Sequence, residues 1–247
     1  MIINLISCPR TISTAMMYAF AQRKDMAVLD EPFYAVYLHK TQLDHPGRED
    51  ILNSLPEKEE EVVSNILRRA SRSHVFVKNM ASHYEVLDPS LLKDSQTVFL
   101  IRDPLRIIAS YSKVIHAPTQ QDIGVLQQAK LFRWYKAHGV HSPIVIDSND
   151  MLVDPEQHLR SLCHYLDLEF DHAMLSWPKG PKSYDGVWAS HWYSKVHSSV
   201  GFSKQSISQD DLPNKFQALY KDCRVEYDFL YSHSITNRNA TRVSSQK

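Results

Sequence analysis

The sequence of 247 residues has little cysteine, no net charge and no long apolar segment. Its three cysteines, Cys8, Cys163 and Cys223, lie far apart without a Cys-x-x-Cys pair, which argues against a disulfide scaffold and favours a reducing compartment. The 28 basic side chains equal the 28 acidic ones, so a broad electrostatic contact with nucleic acid or an anionic membrane is not expected. No apolar run approaches the ~18 residues that cross a bilayer, and the first residues do not have the pattern of a secretory signal. These features predict a cytoplasmic protein without a nucleic-acid or membrane partner.

Short apolar runs alternate with longer stretches of helical periodicity along the chain. The runs at 2–6, 26–29, 74–77, 97–101 and 144–146 are predicted strands, and 15–23, 57–72, 105–113, 124–137, 155–166 and 210–231 are predicted helices. Residues 177–203 show no regular period and are interpreted as a functional loop region. The alternation predicts an α/β fold, a three-layer sandwich with a mostly parallel central sheet. We expect one domain over residues 1–234 and a flexible C-terminal tail over 235–247.

Polar residues follow four of the predicted strands. They form the segments 7–14, 30–32, 78–83 and 102–103. Ligands of open α/β sheets bind at the carboxyl ends of the strands, so we expect these segments to converge on one cleft.

The segment 7–14 joins a predicted strand to a predicted helix. Backbone N–H groups at such a turn, together with the helix dipole, form an anion site. Thr11, Ser13 and Thr14 add hydroxyl groups, and Arg10 adds a planar cationic fork. An ordinary helix N-cap would also favour serine and threonine. The segment lacks the Gly-Lys-[Ser/Thr] of a Walker A loop.

The segment 98–110 places an arginine where a strand ends and a serine two helical turns later. These residues are Arg102 and Ser110. Taken alone, the arginine is better explained by a surface salt bridge, and the serine by a tolerated helix position.

The two segments together resemble the nucleotide-binding motifs of sulfotransferases that use 3′-phosphoadenosine 5′-phosphosulfate (PAPS). In that family, Pro-[Lys/Arg]-Ser-Gly-Thr-[Thr/Ser] holds the 5′-phosphosulfate, and an arginine with a serine eight positions on holds the 3′-phosphate. The resemblance implies a P-loop-like strand–loop–helix and PAPS as co-substrate without a metal. The implied cofactor-binding residues are Arg10, Thr11, Ile12, Ser13, Thr14, Arg102 and Ser110. The chain departs from the family at Ile12, where glycine is usual, and at Ala15, where some members have an aromatic residue.

Sulfuryl transfer needs cations for the leaving phosphate and a base for the proton of the acceptor. The resemblance places Arg10 near the bridging oxygen, and Lys78 is positioned to assist it. Two residues compete as the base. Glu31, followed by a proline, resembles the Golgi-type branch, whereas His83 lies five residues after Lys78 where the hormone-type branch has Lys-x-His. We prefer Glu31, because desolvation beside aromatic rings would help a carboxylate to accept a proton near neutral pH.

The acceptor pocket is expected to involve Phe33, Tyr34, Tyr37 and the segment 38–56. Because this segment has no run of basic residues, a small hydroxyl or amine compound is a better acceptor than a polyanionic glycan. The thirteen histidines include no pattern typical of a metal site. Two alternatives remain open: a P-loop small-molecule kinase that uses ATP and Mg²⁺ with Asp103 on the metal, and a catalytically degenerate nucleotide-binding protein.

Overall fold

A single all-parallel sheet forms the centre of the computed structural model, which describes residues 1–113, 116–203 and 212–236. Its five strands are β1 (Ile2–Ser7), β2 (Met26–Asp30), β3 (His74–Met80), β4 (Gln96–Ile101) and β5 (Ile144–Asp147). They lie in the order β2-β3-β1-β4-β5. Every pairing is parallel, so the carboxyl ends of all five strands meet at one edge.

Twelve α-helices connect or follow these strands in the described residues. They are α1 (Ser13–Ala21), α2 (Tyr34–Thr41), α3 (Arg48–Ser54), α4 (Glu59–Ala70), α5 (Pro104–Tyr111), α6 (Gln120–Ile123), α7 (Val125–His138), α8 (Ser148–Val153), α9 (Pro155–Tyr165), α10 (Ala189–Trp192), α11 (Ser194–His197) and α12 (Gln217–Tyr231). Four 3₁₀ turns add Ala81–Glu85, Pro89–Leu92, His172–Leu175 and Asn214–Phe216. None of the described helices is long and apolar enough to cross a membrane.

The sheet is covered on both faces, which explains why its strands are almost continuously apolar. Val98 and Leu100 of β4 point to the face that α1 and α9 cover, whereas Phe99 and Ile101 point to the face of α4, α5, α7 and α12. This alternation follows from the two-residue period of a strand. The predicted three-layer α/β sandwich is therefore confirmed.

Several predicted boundaries are wrong. We expected the third strand to end at Lys78, but β3 continues to Met80 and pairs Lys78 with Leu5 of β1. A lysine can lie inside a buried strand here because acidic side chains neutralise it, as described below. Residues 177–203 contain two short helices, α10 and α11, and the last helix begins at Gln217 rather than at 210. Of the residues predicted at its start, 210 and 211 lie outside the described part.

The core extends slightly beyond the end of α12. Ser234 bridges Val145 of β5 in parallel register, and Ile235 is buried. Ile235 is the first residue of the segment for which a flexible tail is predicted, and residues 237–247 lie outside the described part.

Asp147 is a buried carboxylate at the end of β5 that caps the following helix. Its Oδ1 accepts hydrogen bonds from the backbone N–H groups of Asn149 (2.7 Å) and Asp150 (3.1 Å), and its Oδ2 accepts one from the Tyr227 hydroxyl (3.1 Å). Burial, followed by the charge of Asp150, raises the pKa of Asp147 to about 6.

We expect Asp147→Asn to change how stability depends on pH. The folded protein holds the Asp147 proton more tightly than the unfolded chain, so this contribution to stability is complete below pH ~4 and is lost as the pH rises through the folded pKa. Asparagine keeps the capping oxygen but does not titrate. In urea unfolding, the stability of the wild type relative to the variant should fall by about 2–3 kcal/mol between pH 4 and pH 7. A difference independent of pH would contradict this account of Asp147.

Candidate active site

A cleft of about 980 Å³ lies at the carboxyl ends of the strands. Each of the four predicted polar segments contributes to its lining. Cys8–Thr14 follow β1, Glu31 follows β2, Lys78 lies in β3 and Arg102 follows β4. The predicted convergence on one cleft is therefore what the structure shows, as expected for a parallel α/β sheet.

The loop after β1 has an unusual backbone. Arg10 (φ 64°) and Ile12 (φ 62°) both adopt the left-handed conformation, which costs a residue with a Cβ atom roughly 1–2 kcal/mol. Ile12 precedes the first residue of α1 and makes no side-chain cap. The hydroxyl of Thr11 donates to the carbonyl of Cys8 (2.8 Å) and so fixes the turn. The simple N-cap explanation therefore does not apply, and the first N–H groups of α1 are available to an anion in the cleft.

Arg10, Arg102 and Ser110 meet beside this loop. The Nη1 of Arg102 donates to the backbone carbonyl of Arg10 (2.5 Å), and the Nε of Arg10 donates to the hydroxyl of Ser110 (3.0 Å). Arg102 is buried, and Arg106 also lines this side of the cleft. The two segments that the sequence singled out, about a hundred residues apart, thus form one cationic corner.

Lys78 lies at the centre of a buried polar cluster on the floor of the cleft. Its ammonium donates to Asp30 Oδ1 (2.9 Å), to Glu31 Oε1 and to the hydroxyl oxygen of Tyr193 (2.9 Å). Burial alone lowers the pKa of a lysine, but the charges of Asp30 and Glu31 outweigh burial and hold the pKa of Lys78 well above its ordinary value. The lysine therefore remains cationic at every physiological pH.

Glu31 and His83, the two candidate bases, are neighbours. The Oε2 of Glu31 lies 3.6 Å from the Nε2 of His83. The His83 ring is buried between Tyr34 and Tyr37, with both ring centroids 5.0 Å away. Burial, followed by the charge of Lys78, lowers the pKa of His83 to about 3, so this histidine is neutral near pH 7. Glu31 has a positive φ of 42°, which turns the chain sharply at the end of β2.

The side of the cleft beside the start of α2 contains two of the three predicted aromatic residues. Tyr34 and Tyr37, on the first turn of α2, line it. The hydroxyl of Tyr34 is 2.8 Å from the Nδ1 of His45, within the predicted segment 38–56. Phe33 does not line the cleft, because its ring packs into the core beside Val36. The prediction that Phe33 contacts the acceptor is therefore wrong.

The sequence interpretation included Asp30 in a polar segment but gave no individual role in the site to Asp30, Tyr193 or Trp188. The Tyr193 hydroxyl is within 2.9 Å of both Asp30 oxygens, and the indole N–H of Trp188 donates to the same hydroxyl (3.2 Å). The signal for Asp30 was present, since two acids follow a buried strand. Tyr193 lies 163 residues away from Asp30, in a segment without regular periodicity, and no local pattern indicated its partner.

The segment 185–202 is linked to α1 by a hydrogen bond at Asp185. The hydroxyl of Tyr18 donates to Asp185 Oδ1 (2.7 Å), and His197 Nε2 is 2.9 Å from Asp185 Oδ2. Gly201 and Phe202 line the cleft beyond this contact.

Asp103, the metal ligand that the kinase alternative requires, has other partners. Its Oδ1 accepts from the backbone N–H of Leu105 and caps α5, and its Oδ2 lies 3.1 Å from Arg224. Asp103 is not part of the cleft lining. Within the described ranges, no group of three histidine, cysteine or acidic side chains is arranged to hold a metal ion.

The chain is similar to known proteins over most of its length. The family model described as a sulfotransferase domain matches residues 1–224. Branched-chain-amino-acid aminotransferase-like protein 2 of Arabidopsis thaliana is 35% identical over 234 residues, which are 94% of this chain and 42% of that protein. The chain thus spans less than half the length of this curated relative.

Two solved structures share the fold at low sequence identity. The sulfotransferase domain from the curacin biosynthetic pathway superposes with a TM-score of 0.59 at 16% identity, covering 91% of this chain and 96% of that one. A mouse sulfotransferase complexed with PAP, SULT7A1, gives a TM-score of 0.55 at 12% identity and covers 98% and 88% of the two chains. These two structures show a shared fold. The match of the sulfotransferase domain model over residues 1–224 means that the chain belongs to the sulfotransferase family.

Proposed function

We propose that this protein transfers a sulfuryl group from PAPS to a hydroxyl or amine of a small-molecule acceptor. The observation that carries the proposal is the cationic corner formed by Arg10, Arg102 and Ser110 beside the uncapped N-terminus of α1. A related fold has been seen with PAP, the desulfated nucleotide, in the mouse sulfotransferase. Location in the cytoplasm remains a prediction from the sequence.

The residues of the loop fit a phosphosulfate. Backbone N–H groups at the start of α1 and the side chains of Ser13 and Thr14 offer donors to the 5′ group. Thr11 supports the loop, because its hydroxyl is engaged by the Cys8 carbonyl. Ile12 contributes its backbone, held in the conformation that a glycine would adopt freely. Ala15 lines the cleft with a small side chain, which leaves room there but offers no ring on which the adenine could stack.

Arg102 and Ser110 fit the 3′-phosphate. Arg102 presents a planar fork of N–H donors that matches two phosphate oxygens, and Ser110 adds one hydroxyl. Both residues already contact Arg10, so the two ends of the nucleotide would be held by side chains that position one another.

The acceptor side supplies the base. Glu31 takes the acceptor proton, and His83, which is neutral, packs beside the carboxylate with its Nε2 3.6 Å from Glu31 Oε2. Arg10 and Lys78 stabilise the negative charge that develops on the leaving phosphate. Tyr34 and Tyr37 form an aromatic wall for a small acceptor.

Nucleotide selectivity tests the proposal directly. PAP should raise the melting temperature of the protein, whereas ATP with Mg²⁺ and NAD should change it little, because only PAP carries a 3′-phosphate. A ligand at ~100 Kd adds roughly 2.7 kcal/mol to the stability of the folded state. A larger shift with ATP and Mg²⁺ than with PAP would favour the kinase instead. Binding of PAP without transfer to any acceptor would indicate a degenerate nucleotide-binding protein.

The roles of Ser110 and Arg102 can be separated with two nucleotides. Ser110→Ala should weaken PAP binding by roughly tenfold or less, because one neutral hydrogen bond is lost, and should weaken adenosine 5′-phosphosulfate much less, through the lost contact with Arg10. Arg102→Ala should weaken PAP by about one to two decades. It should also weaken adenosine 5′-phosphosulfate slightly, since the Arg10 carbonyl loses its donor. Calorimetry with both nucleotides measures these changes, and equal losses for both ligands in both variants would refute the 3′ assignment.

Glu31→Gln tests the base. Glutamine keeps an oxygen for Lys78 but cannot accept a proton, so transfer should fall by about 10²–10⁴-fold while PAP affinity is retained. Steady-state assays with an accepted alcohol, together with PAP titration, provide the measurement. If Glu31→Gln turns over normally and His83→Ala does not, the base is His83.

A further inference from the structure

The ammonium group of Lys78 has as many partners as it has protons. A lysine ammonium carries three N–H donors and no acceptor. Asp30 Oδ1, Glu31 Oε1 and the Tyr193 hydroxyl oxygen are all within hydrogen-bond distance of Nζ. In this state Lys78 has no donor left for a substrate, although the proposed reaction requires one.

Two of the three partners, Asp30 and Tyr193, are held in place by further contacts. The Tyr193 oxygen donates its proton to Asp30 and accepts from Lys78 and from the Trp188 indole. Asp30 Oδ2 also accepts from the backbone N–H of Gly186 (3.1 Å). Burial, followed by the charge of Asp30, holds the pKa of Tyr193 well above its ordinary value, so this hydroxyl keeps its proton.

The third partner, Glu31, is the one whose charge would change. Its carboxylate attracts Lys78 while it is ionised, and this attraction weakens once a proton neutralises it. Protonation therefore weakens the contact between Lys78 and Glu31, so that this N–H can turn to a more negative acceptor while the contacts to Asp30 and Tyr193 remain.

We propose that Asp30 and Tyr193 are positioning residues that hold Lys78 beside the cleft, and that Lys78 gives its third N–H to the leaving phosphate only when Glu31 has taken the acceptor proton. This inference rests on the proposed function.

The step balances without any further reactant. The acceptor oxygen or nitrogen forms a bond to sulfur while the bond from sulfur to the 5′-phosphate oxygen breaks, and the electron pair of that bond stays on the phosphate oxygen. The acceptor proton moves to Glu31. Lys78 then donates a hydrogen bond to the new phosphate oxygen and keeps its proton.

The arrangement also implies that Lys78 is unavailable when no acceptor is present. With all three N–H groups engaged, it does not assist attack by water on the phosphosulfate. Removing the Tyr193 hydroxyl would release one N–H permanently, so that help to the leaving group would no longer wait for an acceptor.

Sulfate release from ³⁵S-labelled PAPS without acceptor tests this. Tyr193→Phe should raise acceptor-independent release by about tenfold, the effect of one charge-assisted hydrogen bond of ~1.4 kcal/mol, while PAP affinity stays within about twofold of wild type. Asp30→Asn, which keeps the shape but removes a charge, should change release in the same direction and serves if the phenylalanine variant fails to fold.

Tyr227→Phe is the matched control. It removes a buried tyrosine hydroxyl bonded to a buried aspartate, Asp147, outside the cleft lining, and should leave release unchanged. Unaltered or reduced release in both Tyr193→Phe and Asp30→Asn, with PAP still bound, would overturn the positioning role. Failure of the wild type to bind PAP would instead overturn the proposed function.

Discussion

The cluster around Lys78 imposes the main constraint on this molecule. A lysine in the interior of a buried strand is tolerated only when opposite charges and hydrogen bonds compensate for its lost hydration, and removal of one partner from such a cluster leaves an uncompensated buried charge. Asp30 and Glu31 must therefore stand beside β3, and Tyr193 must reach them from a distant segment. The same contacts that neutralise the lysine bring β2, β3 and the segment before α11 together, and so shape the floor of the cleft.

Much of the fold could be predicted from the sequence because apolar periodicity and strand-end chemistry are local signals. The runs at 2–6 and 97–101 correspond closely to β1 and β4, and the polar residues after them reach the cleft as the rule for parallel sheets requires. The end of β3 could not be found this way. A charged residue usually marks the end of a buried strand, and only knowledge of its partners shows that Lys78 stays inside one.

The residues of the candidate site also fall into those that local spacing predicted and those that it could not. Arg10, Arg102 and Ser110 follow fixed spacings, and the structure brings them together. By contrast, Phe33, Tyr34 and Tyr37 look alike as a sequence, yet the start of α2 turns the first into the core and the other two toward the cleft. The choice between Glu31 and His83 as the base also could not be made from spacing. The two residues are 52 positions apart in the chain, yet their side chains lie 3.6 Å apart.

The contact between Ser234 and Val145 has a consequence for solubility. β5 is the last strand in the sheet order, and an outer strand offers unpaired backbone N–H and C=O groups on which another chain can add as a further strand. The chain after α12 occupies part of that outer side, and the buried Ile235 anchors it there. The stretch around Ser234 and Ile235 therefore leaves less of the β5 edge open to edge-to-edge aggregation. This role is separate from the chemistry of the cleft.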